Sequence, residues 1–326
     1  MLGSLAIGSL AATLRASRGL AAKHDIAAVA GRLGLSGTSA VPVGDDCAAI
    51  ADGNGFLLLA IEGFMNEFVA QDPWFAGWCG LMVNISDIAA MGGRPLAVVD
   101  AVWAADEQSA GPILAGMRAA SQAFEMPIVG GHTNTRCDRR QLSVAILGRA
   151  KRLLTSFDAV PGDELVAAID LRGRYREPFS NWEAATTAPA ARLRADLELL
   201  PAIAEAGLAN AGKDISQGGI IGTAIMLAEC SGVGAAIDVT RIPRPDGVSH
   251  ERWLQTFPSF GYLLAIPSAN VATVLACFSA RGIAAADIGT IISDQHVEIT
   301  DGCACEPVWD FSQAPLIGCS RAGETR

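Results

Sequence analysis

Residues 83–95, VNISDIAAMGGRP, carry the most informative pattern in this sequence of 326 residues. The run 76–91 is rich in alanine and larger apolar residues, which predicts a helix that turns its apolar side chains to a core. In that helix Asn84 and Asp87 lie three positions apart and therefore share one face. The Gly-Gly pair that follows permits a phosphate or a metal ion to approach the backbone closely. A helix ended by glycine, with Asp87 in solvent, would give the same pattern, so this segment alone leaves both interpretations open.

Two other stretches place acids or glycines beside apolar strands. Residues 43–50, VGDDCAAI, contain Asp45 and Asp46, and adjacent carboxylates usually need a cation or N–H donors to offset their repulsion. An exposed Asx turn is the alternative for this pair. Residues 128–135, IVGGHTNT, run from an apolar strand into a predicted Gly-Gly turn whose N–H groups can cradle phosphate oxygens. No GK[ST] follows, so this is not a Walker loop, and His132 alone is more typical of a hydrogen-bonded turn residue than of a ligand.

The second half of the chain repeats the combination of an acid and a flexible turn. Residues 213–219, KDISQGG, place Asp214 just before a Gly-Gly turn that opens an apolar helix. Asp214 or Ser216 could equally serve as the N-cap of that helix. Residues 229–235, ECSGVGA, follow at the far end of the same apolar stretch.

The chain divides near residues 160–163, where Pro and Gly separate two apolar segments. This break predicts an N-terminal domain over residues 1–158 and a C-terminal domain over residues 159–326. Short strands such as 56–62 and 96–103 alternate with helices, of which residues 76–91 and 109–124 are the clearest, but without the strict rhythm of a doubly wound sheet. The sequence therefore predicts two α+β domains.

Composition excludes several classes of partner. The net charge of −10 argues against nucleic acid and anionic membranes, both of which need a basic surface, but it leaves a nucleotide open. The apolar residues 1–14 have no basic residue before them, and Leu2, Leu5, Leu10 and Leu14 recur at helical spacing. We therefore expect an amphipathic helix rather than a signal peptide, and a soluble, cytoplasmic protein without a membrane span.

Taken in order, these stretches resemble the motifs of one superfamily. The pattern is similar to GDDAAV, NxSDIAAMGxxP, GGHT or GGDT, DISxGG and SGVGAxI, and it spans residues 43–240. It is the pattern of the AIR synthase-related superfamily. Its members include aminoimidazole ribonucleotide (AIR) synthase, thiamine-monophosphate kinase, selenophosphate synthetase and a hydrogenase-maturation dehydratase.

The resemblance implies a fold, cofactors and a site. It implies an N-terminal domain whose four-stranded sheet pairs with that of a second subunit to form a barrel in a homodimer. It also implies a C-terminal α+β domain, with ATP and Mg²⁺ between the domains, the metal being held by carboxylates because Mg²⁺ prefers hard oxygen ligands. The metal-binding residues implied are Asp46, Asp87 and Asp214, with Glu62 as a fourth candidate. The nucleotide-binding residues implied are Asp45, Asn84, Gly130, Gly131, His132 and Thr133.

The sequence also departs from the named members. Glu62 stands where the family usually has Asp after Thr, and Gln217 replaces an acid of the kinase pattern. His132 stands where the kinase has Asp. No cysteine precedes Cys47, as the reactive arm of selenophosphate synthetase would require, and Cys319 is not the last residue, as the dehydratase would require. None of the four activities therefore transfers directly.

The sequence predicts an ATP- and Mg²⁺-dependent enzyme that transfers a phosphoryl group to a small-molecule substrate. The product is either a phosphate ester, as for a kinase or other transferase, or an activated amide oxygen that is lost in dehydration or ring closure, as for a cyclo-ligase. The alternative is a non-catalytic nucleotide-binding protein with a sensing or assembly role, for which the changes at Glu62 and Gln217 would be natural. Retention of the other acids speaks against that alternative. The sequence identifies neither the acceptor substrate nor a catalytic residue.

Overall fold

The fold is described from a computed structural model that covers residues 6–35 and 41–320. Its helices are α1 (Ile7–Arg15), α2 (Arg18–Lys23), α3 (Asp25–Leu33), α4 (Asn66–Gln71), α5 (Pro73–Ala90), α6 (Glu107–Phe124), α7 (Ala190–Leu197), α8 (Leu199–Ala206), α9 (Gly219–Ser231), α10 (His250–Leu254) and α11 (Val271–Ser279). Its strands are β1 (Ala48–Asp52), β2 (Gly55–Gly63), β3 (Arg94–Trp103), β4 (Ile128–Asn134), β5 (Gln141–Ala150), β6 (Glu164–Ile169), β7 (Arg174–Tyr175), β8 (Asn181–Glu183), β9 (Ala211–Asp214), β10 (Gly234–Asp238), β11 (Phe257–Pro258), β12 (Gly261–Ile266), β13 (Ala284–Ile292), β14 (His296–Thr300) and β15 (Cys305–Asp310).

The chain forms two compact units, and each is described by itself. The five-stranded unit consists of Asp46–Leu153 and Ala185–Glu205. Of the described residues, the seven-stranded unit contains 6–35, 41–45, 154–184 and 206–320. Both mix helices and strands, which confirms the predicted α+β class. The continuous domains predicted from the sequence, 1–158 and 159–326, stay a prediction.

The sheet of the five-stranded unit has the order β1-β2-β5-β3-β4, one strand more than the resemblance implied. The short strand β1 joins because the chain turns back at Gly53 and Asn54 and pairs antiparallel with β2. Gly53 has a φ of +59°, as two-residue hairpin turns commonly require. Only β3 and β4 are parallel in this sheet, and the helix α6 connects them.

The two faces of this sheet have different surroundings. One face, which we call the helix face, packs against α5 and forms the core of the unit; the other, the open face, carries exposed apolar side chains. The predicted helices 76–91 and 109–124 correspond to α5 and α6. Buried residues of the helix face include Leu58, Val98, Val102, Leu142, Val144 and Ile146. Exposed residues of the open face include Ile50, Leu59, Ile61, Leu96, Val99 and Leu147.

Close contact between α5 and α6 depends on glycine. A Cβ atom at Gly77 would overlap the carbonyl oxygen of Ile113, and one at Gly116 would overlap the carbonyl oxygen of Trp74. The two helices therefore touch backbone to backbone, and no other residue type fits at either position. This contact fixes where the polar residues of α5 lie in the unit.

The seven-stranded unit is built on the order β15-β14-β10-β13-β6-β12-β9. Its central strands β6 and β12 are almost entirely buried, and α9 and α11 pack against the sheet. The helix α1 packs on β15 with Leu10 and Leu14 buried, whereas Leu2 and Leu5 of the predicted N-terminal helix lie outside the described residues. A smaller sheet has the order β11-β8-β7.

A buried carboxylate holds the last described residues on this unit. Glu229, near the end of α9, accepts hydrogen bonds from the N–H groups of Leu316, Ile317 and Gly318 at 3.1, 2.8 and 2.8 Å. The motif residues 229–235 are thus tied to the C-terminal segment by a contact that the local sequence does not reveal.

Among the described residues, the helices are all too short or too polar to cross a lipid bilayer.

We expect Gly77→Ala to destabilise the protein by about 1–3 kcal/mol, because the new Cβ must displace the backbone of α6. The free energy of unfolding from urea denaturation measures this loss. Gly111→Ala on α6 is the control, since a Cβ there meets no atom within 4 Å and alanine is favoured over glycine in a helix. Equal destabilisation by both variants would contradict the proposed contact.

Candidate nucleotide and metal site

The helix α5 carries the polar pair that the sequence singled out. Asn84 is completely buried, and its Nδ2 donates to the carbonyl oxygen of Gly80 at 2.8 Å. No donor among the described residues reaches its Oδ1. Asp87, one turn further on, is 5% exposed. Because a buried acceptor without a donor costs roughly 1–3 kcal/mol, Oδ1 of Asn84 is an available ligand for a cation or a donor.

One row of residues crosses the sheet on its helix face. Glu62 on β2 lies opposite Val144 on β5, which lies opposite Asp100 on β3, which lies opposite Gly131 on β4. Residues directly opposite each other share a face of the sheet. Val144 is buried, and a Cβ at Gly80 of α5 would lie 2.9 Å from its Cγ2. The row therefore passes beneath α5, with one carboxylate on each side of Val144.

The segment Gly130–Thr133 is a strand, not the turn that the sequence predicted. All four residues belong to β4, which pairs in parallel with β3 at the edge of the sheet and is exposed throughout. The apolar start of this segment and its partner β3 continue the pairing through both glycines. The expected cradle of consecutive N–H groups is therefore absent from these described residues.

The strand geometry also divides the predicted ligands. Side chains alternate along a strand, so Gly131 and Thr133 belong to the helix face, whereas Gly130 and His132 belong to the open face. The ring of His132 lies beside that of Trp103, with centroids 6.0 Å apart. One ligand on the helix face can therefore meet the side chain of Thr133 but not that of His132.

Asp100 is a candidate that the motifs did not include. It lies between the buried residues Val98 and Val102 of the helix face, and burial raises the pKa of its carboxyl group. No described residue donates a hydrogen bond to its carboxylate or forms an ion pair with it. The signal was present in the sequence, since residues 96–103 read LAVVDAVW, with one acid in an otherwise apolar strand.

Asp45 is held inside the seven-stranded unit. Its Oδ2 accepts from the backbone N–H of Ser156 at 2.9 Å, and its Oδ1 accepts from Oγ of Ser156 at 2.7 Å. Nζ of Lys213 lies 4.0 Å from Oδ1, and both charged side chains are almost fully buried. These contacts favour an anchoring role for Asp45, and its assignment to the nucleotide stays a prediction. Asp46, the next residue, is half-buried and begins the five-stranded unit.

Asp214 lies at the end of β9 in the seven-stranded unit, opposite Tyr262, and is 4% exposed. The sequence left open whether Asp214 or Ser216 caps the following helix. In the structure α9 begins at Gly219, and its N-cap residue is Gly218. No side chain accepts a capping hydrogen bond from the N–H groups at the start of this helix. The capping alternative is therefore wrong. Ser216 instead receives a hydrogen bond from Nζ of Lys23 at 3.4 Å.

The predicted acids suit Mg²⁺ chemically, although they do not form a complete metal cage. Among the described residues, no three side chains of His, Cys, Asp or Glu group closely enough to hold a metal ion. A magnesium ion bound with nucleotide phosphates needs only one or two carboxylates, because phosphate oxygens and water supply the other ligands. Asp87 together with the unsatisfied Oδ1 of Asn84 fits that requirement in the five-stranded unit.

The chain belongs to the AIR synthase related protein family. Residues 44–150 match the N-terminal domain of that family, and residues 176–302 match its C-terminal domain. These two matches confirm the family inferred from the ordered motifs.

Relatives with several different names are similar to this chain in sequence. The chain is 49% identical over 310 residues to an uncharacterized protein of Synechocystis, which covers 94% of this chain and 96% of that protein. It is 31% identical over 222 residues to thiamine-monophosphate kinase of Pyrococcus abyssi, which covers 63% of this chain and 69% of the kinase. It is 29% identical over 248 residues to selenide, water dikinase of Myxococcus xanthus, which covers 72% and 68%.

Solved structures give the same fold at lower identity. T. maritima PurL complexed with ADP has a TM-score of 0.71 and 18% identity, and covers 84% of this chain. This chain spans only 46% of that PurL chain. AaThiL complexed with AMPPCP and TMP has a TM-score of 0.64 and 22% identity, and covers 84% of this chain and 91% of its own.

We expect Asp45→Ala to destabilise the protein by about 3 kcal/mol or more, because it removes the carboxylate beside the buried Lys213 and the acceptor of two hydrogen bonds from Ser156. Chemical denaturation measures the loss. Asp46→Ala is the matched control on the neighbouring residue, and we expect a smaller effect. A loss of stability from Asp46→Ala as large as that from Asp45→Ala would contradict the anchoring role.

Proposed function

We propose that this protein is an ATP- and Mg²⁺-dependent enzyme that transfers the γ-phosphoryl group of ATP to an oxygen atom of a small molecule. The observation that carries this proposal is the polar end of α5, where the unsatisfied Oδ1 of Asn84 and the buried Asp87 share a helix face within a fold whose relatives include two enzymes named as kinases. Burial of the unsatisfied Oδ1 of Asn84 costs stability, and a cation or donor on a bound ligand would offset that cost.

Each residue has a defined part in the proposal. Asp87 of the five-stranded unit, with Oδ1 of Asn84, would hold Mg²⁺, which supplies positive charge to the β- and γ-phosphates. The metal roles of Asp46, Glu62 and Asp214 stay predictions. The exposed edge of β4, with Thr133 on the helix face, would contact the phosphate chain. Catalysis then depends on positioning and on electrostatic stabilisation, as is general for phosphoryl transfer.

The chemical nature of the acceptor atom determines the product of the phosphoryl transfer. A hydroxyl acceptor gives a stable phosphate ester, whereas an amide oxygen gives an activated group that leaves during dehydration or ring closure. The kinase names among the relatives favour the first outcome.

The non-catalytic alternative, a nucleotide sensor or assembly protein, predicts binding of ATP without its consumption. The cytoplasmic location expected from the sequence stays a prediction.

The open face of the five-stranded sheet supports a homodimer. Its exposed apolar residues include Ile61 at 68%, Leu59 at 47% and Val99 at 41% exposure. Ile61 and Val99 lie in one row, because both lie opposite Ala145 of β5, and Leu59 lies in the adjacent row of the same face, opposite Leu147. A continuous apolar sheet face of this kind is normally covered. We infer that a second copy of the chain covers it, as the family resemblance implied.

We expect Asp87→Asn to weaken binding of AMPPCP about tenfold or more in the presence of Mg²⁺, because a lost charge-assisted contact costs roughly 1.5–3 kcal/mol. In the absence of Mg²⁺ the variant and the wild type should bind alike. Isothermal titration calorimetry under both conditions makes the comparison. Asp138→Asn is the control, since its side chain is 77% exposed on the same unit. Equal weakening with and without Mg²⁺ would remove the metal role of Asp87.

We expect Ile61→Glu to convert the homodimer into a monomer, because a charge would be buried on each side of the interface without a partner. Light scattering coupled to size-exclusion chromatography measures the mass. Leu114→Glu, at an exposed position of α6, should leave the dimer intact. A wild-type monomer at micromolar concentration would contradict the assembly.

A further inference from the structure

Asp100 places an unpaired charge where the fold would accept an apolar side chain. Its neighbours on the same face of β3, Val98 and Val102, are completely buried, so a valine or leucine at position 100 would continue the series of buried apolar side chains along this strand. The carboxylate instead loses part of its hydration, and burial is what raises its pKa. A cost of this kind, without a compensating ion pair among the described residues, is typical of a functional group.

The neighbouring strand approaches Asp100 closely at Gly131. A Cβ at Gly131 would lie 2.6 Å from the backbone oxygen of Asp100 and 2.8 Å from both its Cγ and its Oδ2. The second glycine of the GGHT motif is therefore needed for the close approach of the two strands, and it also leaves room for the carboxylate of Asp100. A phosphate group placed directly against Gly131 would meet the carboxylate, so Asp100 faces a different part of the reacting molecules.

The surroundings of Asp100 do not suit a metal ion. Glu62 is the acid in the same row, and it lies two strands away, which is about 10 Å between backbones. Asp100 belongs to no group of metal-binding side chains among the described residues. The remaining partner for its carboxylate is an organic donor, an O–H or N–H group, which can approach over the exposed edge strand β4.

We propose that Asp100 is the proton-accepting catalytic residue of this site and that the acceptor substrate presents a hydroxyl group to it. This inference rests on the proposed phosphoryl transfer. The acceptor oxygen forms a bond to the γ-phosphorus, and the bond from the γ-phosphorus to the bridging oxygen breaks, so that its electron pair leaves with ADP. The proton of the acceptor hydroxyl moves to the carboxylate of Asp100 and later to solvent. The raised pKa of Asp100 makes it a better base than an ordinary aspartate.

This role narrows the class of substrate. The group that meets Asp100 is a neutral hydrogen-bond donor, and a substrate that directs a phosphate or a carboxylate to this position is excluded by charge repulsion. Water satisfies the same requirement. The protein should therefore hydrolyse Mg·ATP slowly when no other acceptor is present, with water in the place of the substrate hydroxyl.

The test compares the full-length wild type with Asp100→Asn and with the surface control Asp138→Asn. We expect Asp100→Asn to lower kcat for Mg·ATP hydrolysis roughly 100-fold or more, with KM for ATP and the affinity for AMPPCP unchanged. Asp138→Asn should behave as the wild type. Thermal denaturation shows whether each variant is folded, and Asp100→Ser, which adds no bulk against Gly131, replaces the asparagine variant if that variant is unstable.

Each of the other possible results contradicts a stated part of the proposal. If the wild type does not bind AMPPCP with Mg²⁺, the proposed function itself fails. If it binds the nucleotide but does not hydrolyse ATP, the result agrees with the non-catalytic alternative and the role of Asp100 is wrong. If the wild type hydrolyses ATP and Asp100→Asn hydrolyses it as fast, the proposed function stands and the role of Asp100 is wrong. A variant whose nucleotide affinity changes while kcat does not would make Asp100 a nucleotide contact instead of a base.

Discussion

The five-stranded unit depends on how closely α5 approaches its neighbours. Gly77 brings α5 against the backbone of Ile113, and Gly80 brings it down onto Val144 of the sheet. Asn84 lies one turn beyond Gly80 and hydrogen-bonds to it, so the depth that packs the core also removes this amide from water. Moving α5 outward would free the amide but would open the apolar core. Packing and the candidate site are therefore consequences of one contact.

Local patterns in the sequence were sufficient for much of this architecture. The apolar runs that predicted α5 and α6 depend only on residues within a few turns, and both helices lie where periodicity placed them. The α+β class followed in the same way, from the alternation of short strands and helices. The order of five short motifs identified the family, because each motif constrains backbone and polar residues together and their succession is specific.

The features that were missed depend on residues distant in sequence. Gly130 and Gly131 belong to a strand because β3 pairs with them, and nothing adjacent in the sequence specifies that partner. Asp45 is bound by Ser156, which lies 111 positions further along the chain. Asp100 is the one acid in an apolar stretch of the sequence, but its position opposite Gly131 became evident only from the register of β3 and β4. Pairing partners and burial arise from the whole fold, and short-range rules do not contain them.

The alternation of side chains along β4 has an evolutionary consequence. His132 and Thr133 are adjacent in the sequence, yet one belongs to the open face of the sheet and the other to its helix face. In the assembly and the reaction proposed above, a replacement of His132 can alter how copies of the chain meet without touching the groups that would handle phosphate, and a replacement of Thr133 does the reverse. Selection for assembly and selection for chemistry can thus act on neighbouring codons independently, and lineages that share this strand are free to diverge in one property while conserving the other.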